Sequence, residues 1–118
     1  MARYVPKKGD LITLSFDPQT GHEQKGRRPA LVVSNDLFNR HTGLAIVCPV
    51  TNTDRGYPFH LAIPGKSSLT GFVMVEQVKS VDFAMRRAKF VERAPAKFVE
   101  DVLDLIDVCI RNPAPTHG

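Results

Sequence analysis

Six short stretches of this chain carry apolar residues at strand length or strand spacing, and one longer stretch repeats at helical spacing. Asp10 to Phe16 alternates, as a half-buried strand does when successive side chains face opposite sides. Asp17-Pro18-Gln19-Thr20-Gly21 breaks it. Ala30 to Ser34 reads as a second strand, and Asn35 to Arg40 as a helical turn capped by Ser34 or Asn35. Leu44 to Val50 is apolar throughout, the pattern of a strand buried on both faces. Pro49 lacks a backbone donor, which places that strand's end at an edge or a bulge. Phe59 to Ile63, Gly71 to Ser80 and Arg86 to Val91 complete the strands. Pro95 then opens a helix in which Phe98, Val99, Val102, Leu103, Leu105, Ile106, Cys109 and Ile110 share a face. Glu100, Asp101, Asp104 and Asp107 fill the other face, and Asn112-Pro113 ends the helix.

Several short strands, short turns and one terminal helix point to a small, strongly bent sheet or barrel. The sequence holds no internal repeat or low-complexity segment, so residues 1–118 read as a single domain with 112–118 as a frayed tail. Charge sharpens this picture. Residues 1–97 hold 15 Lys and Arg against 8 Asp and Glu, a net of +7, whereas residues 98–118 hold 1 against 4, a net of −3. The body is thus basic and suited to polyanions, and the terminal helix is acidic. Cys48 and Cys109, far apart and in apolar contexts, read as buried thiols of a reducing compartment. No clustered His/Cys spacing marks a metal site, and no cofactor is expected. MARYVPKKGD lacks the apolar run of a signal peptide and no stretch approaches membrane-spanning length. The expectation is a cytoplasmic protein without a membrane partner.

Chemistry concentrates in Gly21 to Ser34, GHEQKGRRPALVVS. His22, Glu23, Gln24, Lys25, Arg27 and Arg28 all donate, accept or carry charge, and Pro29 biases Arg28 towards extended geometry where loop meets strand. A guanidinium held there beside a carboxylate and an imidazole suits phosphate, whose oxygens arginine grips in pairs. A solvated basic loop closed by a salt bridge explains the same residues equally well.

The segments GDLITLSFDP, GHEQKGRRPALVVS, CPVT, GYPF and GFVMVEQVKS, in that order, resemble the MazF/PemK family of toxin endoribonucleases over Tyr4 to Ile110. The resemblance implies a mainly β fold with α: a small SH3-like barrel of the CcdB/PemK type with a C-terminal helix packed on it. It further implies a homodimer, metal-independent cleavage of single-stranded RNA and a cognate acidic antitoxin. Arg28 matches the family's catalytic arginine and Thr51 its catalytic threonine, with Glu23 and Gln24 beside them. His22 and Glu76 match positions used in the PemK-like branch. Met74 stands where that branch has a second functional arginine.

Such a nuclease needs no external nucleophile, because the 2′-hydroxyl of RNA attacks its own phosphate to leave a 2′,3′-cyclic phosphate and a 5′-hydroxyl. Arg28 would stabilise the developing charge and Thr51 would hydrogen-bond a non-bridging oxygen. His22, Glu23 and Glu76 are the proton-transfer candidates, with no basis for choosing among them. Lys25, Arg27, Arg55 and Lys79 are candidate phosphate contacts, Tyr57 or Phe59 candidate stacking platforms, and Gln77 a reader of a base edge. His41, His60 and His117 have no motif context and default to the surface. Two other readings use the same scaffold: a non-catalytic toxin that binds DNA gyrase through the helix, and a nucleic-acid-binding module without catalysis. The arginine loop and the threonine motif occurring together favour the nuclease.

Overall fold

Strand β3 (Leu44–Thr51) organises the molecule because it has partners along both edges. The computed structural model describes residues 3–15 and 26–112. On one side β3 pairs with β2 (Arg27–Val32), matching Ala30 with Pro49 and Val32 with Val47. β2 in turn pairs with β1 (Asp10–Ser15), and β1 with β7 (Lys89–Arg93). On its other side the N-terminal half of β3 pairs with β6 (Lys79–Asp82). Its C-terminal half pairs with β5 (Phe72–Met74), which carries the short edge strand β4 (His60–Ala62). Every pairing is antiparallel, as short connections allow.

The expected β architecture with a terminal helix is present, but the seven strands do not close into a hydrogen-bonded barrel: β4 and β7 remain the two ends of the ladder. Three boundaries also differ from the sequence reading. Pro49 lies in the central strand rather than at an edge, and it is tolerated there because it falls where β3 exchanges β6 for β5. The stretch from Gly71 to Ser80 is two strands separated by a 3-10 turn at Val75–Gln77, which lets one run of chain serve both halves of β3. The last strand starts at Lys89, because Arg86 and Arg87 belong to a turn in which Arg87 takes φ +54°. Helix α1 (Asp36–Thr42) is capped by Asn35, whose side chain accepts from the Phe38 amide at 2.8 Å, and ends on Gly43 at φ +75°.

Strand alternation builds two cores. Leu11, Leu31, Cys48, Val50 and Val73 face one side, where Phe98, Val99 and Val102 of helix α2 (Ala96–Ile110) cover them. Ile12, Leu14, Ala30, Val32, Val47 and Val81 face the other, closed in part by Phe83. Burying a side chain of this kind contributes roughly 1.5–3 kcal/mol. In the last turn of α2 Ile110 is 74% exposed and Cys109 is exposed too, against the expectation of two buried thiols. Cys48 is buried as expected. Among the described residues no helix is long and apolar enough to cross a membrane. The tail from Pro113 to Gly118 lies outside the described residues.

Candidate active site

The chemistry gathers on the side of the sheet that α2 leaves uncovered, at the end of β2 where the second core opens to solvent. Arg27 and Arg28 begin β2, so alternation sends their side chains to opposite faces. Arg27 is engaged with the protein: its Nη2 donates to the carbonyl of Thr13 at 2.8 Å, to Thr13 Oγ1 at 2.9 Å and to the carbonyl of Arg87 at 2.7 Å. Burial, and secondarily the charge of Arg87, lowers its pKa. Arg28, paired across the ladder with Leu14, is exposed on the groove side.

The register that matches Ala30 with Pro49 carries Arg28, two positions on, opposite Thr51. Both line a cavity of about 380 Å³ together with Arg27, Pro29, Val50, Asn52 and Met74. Thr51 is the last residue of β3 rather than a loop residue. Its Oγ1 accepts from the amide of Thr53 at 3.2 Å, which leaves the hydroxyl proton for another acceptor. Gly71 secures the approach: at φ +123°, a Cβ there would meet the Thr51 carbonyl at 2.5 Å.

A second cavity of about 340 Å³ adjoins the first, sharing Arg28, Pro29, Val50 and Met74. Its floor is the open end of the second core, with Leu14, Ala30, Val47 and Val81, and its rim holds Gln77, Lys79 and Arg86. The result is a polar-rimmed groove with an apolar floor, crossed by Arg28 midway and edged by cations on one side.

Of the residues singled out from sequence, the fold brings Arg28, Thr51, Gln77 and Lys79 to this groove and Arg27 to its border. Arg55 and Tyr57 are exposed on the following loop and line neither cavity. Glu76 faces elsewhere, accepting from His60 Nε2 at 2.8 Å. Desolvation raises the Glu76 pKa, but the bond from His60 and the hydrogen bonds of its own turn outweigh this and lower it, so the carboxylate holds its charge and is a weak base. His22, Glu23, Gln24 and Lys25 lie outside the described residues.

Two groove or near-groove residues gave no clear signal in the sequence. Arg86 lines the cavity floored by the second core and donates through Nη1 to the carbonyl of Ser15 at 3.4 Å, yet it sits in an ordinary basic dipeptide. His60 is not a surface residue: its side chain is only 3% exposed, because β4 turns it inward towards Glu76. Met74 lines both cavities, so the position where the resemblance called for a second arginine does face the groove. Among the described residues no group of three or more His, Cys, Asp and Glu side chains could hold a metal.

A family model described as PemK-like, MazF-like toxin of type II toxin-antitoxin system matches residues 7–110. The chain belongs to the MazF/PemK family. Within the family it is 42% identical to the endoribonuclease toxin MazF of Escherichia coli strain K12 over 88 residues, 75% of this chain and 78% of that one. It is 38% identical over 101 residues to the endoribonuclease PemK of Escherichia coli, covering 82% of this chain and 76% of the relative. The fold agrees with MazF of Deinococcus radiodurans at a TM-score of 0.81 and 42% identity, spanning 92% and 98% of the two chains. The same MazF has been solved as a MazE-MazF complex, which matches at a TM-score of 0.82 and 39% identity over 91% of this chain and 97% of that one. MazF/PemK membership makes this chain a toxin-type component of a toxin-antitoxin system.

Proposed function

We propose that this toxin is an endoribonuclease that cuts single-stranded RNA in the groove crossed by Arg28. The observation that carries this reading is the meeting of Arg28 and Thr51 in one cavity, on a chain whose relatives are endoribonucleases. The 2′-hydroxyl beside the scissile phosphate attacks phosphorus, the bond to the 5′-oxygen breaks, and the products are a 2′,3′-cyclic phosphate and a 5′-hydroxyl. Because the substrate supplies its own nucleophile, the chain has only to align it, stabilise charge and manage two protons. Arg28, always charged and forked, faces the non-bridging oxygens as negative charge builds. The Thr51 hydroxyl donates to one of them. Lys79 and Arg86 along the rim attract the flanking phosphates, and Gln77 meets a base edge. Tyr57 and Arg55 extend the contact beyond the groove, where the ring offers a stacking surface.

Glu76 is a poor candidate for general base while His60 holds it ionised, which leaves the proton transfers to His22 or Glu23. Lys25 and Gln24, next to them in sequence, add contacts to the RNA. Cleavage blocks translation by destroying messenger RNA in the cytoplasm. The working form is a homodimer, and the partner that silences it is an acidic antitoxin segment, as the MazE-MazF complexes of relatives favour.

The test is incubation of purified protein with a long single-stranded RNA in EDTA, followed by mapping of the cut ends. Cyclic phosphate at the 3′ ends supports the reading, and activity that appears only with added Mg²⁺ overturns it. A second reading, gyrase binding without catalysis, has no particular feature of the groove in its favour.

A further inference from the structure

His60 and Glu76 form a contact that the proposed chemistry does not use. The His60 ring is almost fully enclosed, Nε2 donates to Glu76 Oε2 at 2.8 Å, and Nδ1 is buried with no partner among the described residues. A buried nitrogen without a hydrogen bond weakens a fold, so an apolar side chain would fill this place at lower cost. What an apolar side chain would lack is the link that Nε2 makes.

That link joins two parts of the RNA-reading surface. Glu76 is the middle residue of the 3-10 turn whose next residue, Gln77, lines the cavity floored by the second core. The turn is otherwise held by the amide of Val75 to the Phe59 carbonyl at 3.0 Å and the amide of Val78 to the Val75 carbonyl at 3.1 Å. On its other side the His60 ring packs against Tyr57, with centroids 5.0 Å apart and planes tilted by 58°. The His60 amide also donates to the Tyr57 carbonyl at 3.1 Å, closing the end of the loop that follows Thr51. In the ladder His60 stands opposite Met74, which lines both cavities. One imidazole therefore sets the distance between an exposed aromatic ring and the amide side chain on the groove rim, without entering either cavity itself.

We infer that His60 is a positioning residue for RNA sequence selection, holding the Tyr57 loop and the Gln77 turn in register through Glu76. The inference rests on the endoribonuclease reading. Only the fixed spacing lets two successive bases be judged together, one by stacking and the other by its edge. Arg28 and Thr51 are placed by β2 and β3 and do not depend on this contact.

The experiment compares cut-site preference across a pool of single-stranded RNAs for the wild type, Glu76→Ala, His60→Ala, His60→Gln and the His60→Ala/Glu76→Ala double variant. Glu76 is exposed, so Glu76→Ala breaks the contact without opening a cavity. The ratio of preferred to non-preferred cuts should fall by about tenfold in Glu76→Ala, the size of one lost base-edge contact. In a titration with an oligonucleotide bearing the preferred site, His60→Ala should raise KM while kcat holds, since Arg28 and Thr51 stay on β2 and β3. The double variant should be no less selective than His60→Ala, and His60→Gln, which keeps a donor, should recover part of the ratio. A folded Glu76→Ala protein with wild-type cut ratios overturns the inference alone. A folded wild type that cuts no RNA overturns the endoribonuclease reading and the inference together.

Discussion

The two sides of the sheet are made from alternate residues of the same strands and have opposite uses. On one, α2 covers Leu31, Cys48 and Val73 and excludes water; on the other, the second core stops short and its edge becomes the floor of a groove. The side that is completed by a helix supplies stability, and the side left incomplete supplies the site. Arg27 and Arg28 condense the contrast into two neighbours: one guanidinium held by Thr13 and the Arg87 carbonyl, the other exposed on the groove side.

The comparison is tested most severely from the covered side. Phe98→Ala should cost about 3–5 kcal/mol in unfolding free energy by removing a buried ring between α2 and the sheet. Its folded fraction should still cut RNA at the wild-type rate; denaturant titration with activity normalised to folded protein checks both. Arg28→Ala should do the reverse, lowering the cleavage rate by about 10² to 10³ while the protein still folds. Near-normal cleavage by that variant would remove Arg28 from its assigned role. Arg27→Ala should fall between them, losing about 1–3 kcal/mol of stability as the carbonyls of Thr13 and Arg87 lose their donor. Its rate should drop less than that of Arg28→Ala. If Arg27→Ala proves fully stable but inactive, the division between brace and groove is wrong.

The smallest effect concerns the thiols. Burial, with smaller contributions from Glu76 and Cys109, pushes the Cys48 thiol up to about 12. A pKa raised on folding means that the stability from keeping the thiol neutral is whole below the unfolded value near 9 and declines as pH rises towards 12. Stability should therefore slope downward through that window, and Cys48→Ala should flatten the slope. At neutral pH a thiol reagent should label Cys109 in the native protein and Cys48 only after unfolding.

Much of this contrast was legible in the sequence. The helix face of α2 and the apolar run of β3 were written in periodicity, and Arg28 with Thr51 in motif order. What periodicity could not give was pairing. Nothing in Gly71 to Ser80 says that the run must break at Val75 to serve two halves of one strand, because that demand comes from β3. His60 was misplaced for the same reason: its burial depends on Glu76, sixteen residues away and brought near only by the β4 to β5 pairing. Cys109 has the helical spacing of the buried residues of α2, but a helical pattern does not record which turns of the helix are covered. The role of Arg86 was hidden because a dipeptide of arginines looks alike whether or not a cavity lies beside it.

The adjacent arginines carry one more consequence. Sliding β2 by a single position against its neighbours, so that Arg27 takes the place of Arg28, would put one guanidinium where another stood, and the groove would scarcely register the change. The penalty would fall further along, where Ala30 would take the place of Leu31 and leave a void in the core under α2, while Leu31 would be forced into the room made for Val32 in the other core. The choice of which arginine faces the groove is thus made not by the arginines but by the differences in bulk among the aliphatic residues that follow them. A repacking of Ala30 and Leu31 that preserved total volume would leave every polar residue of the groove unchanged in sequence and still alter which charge it contains.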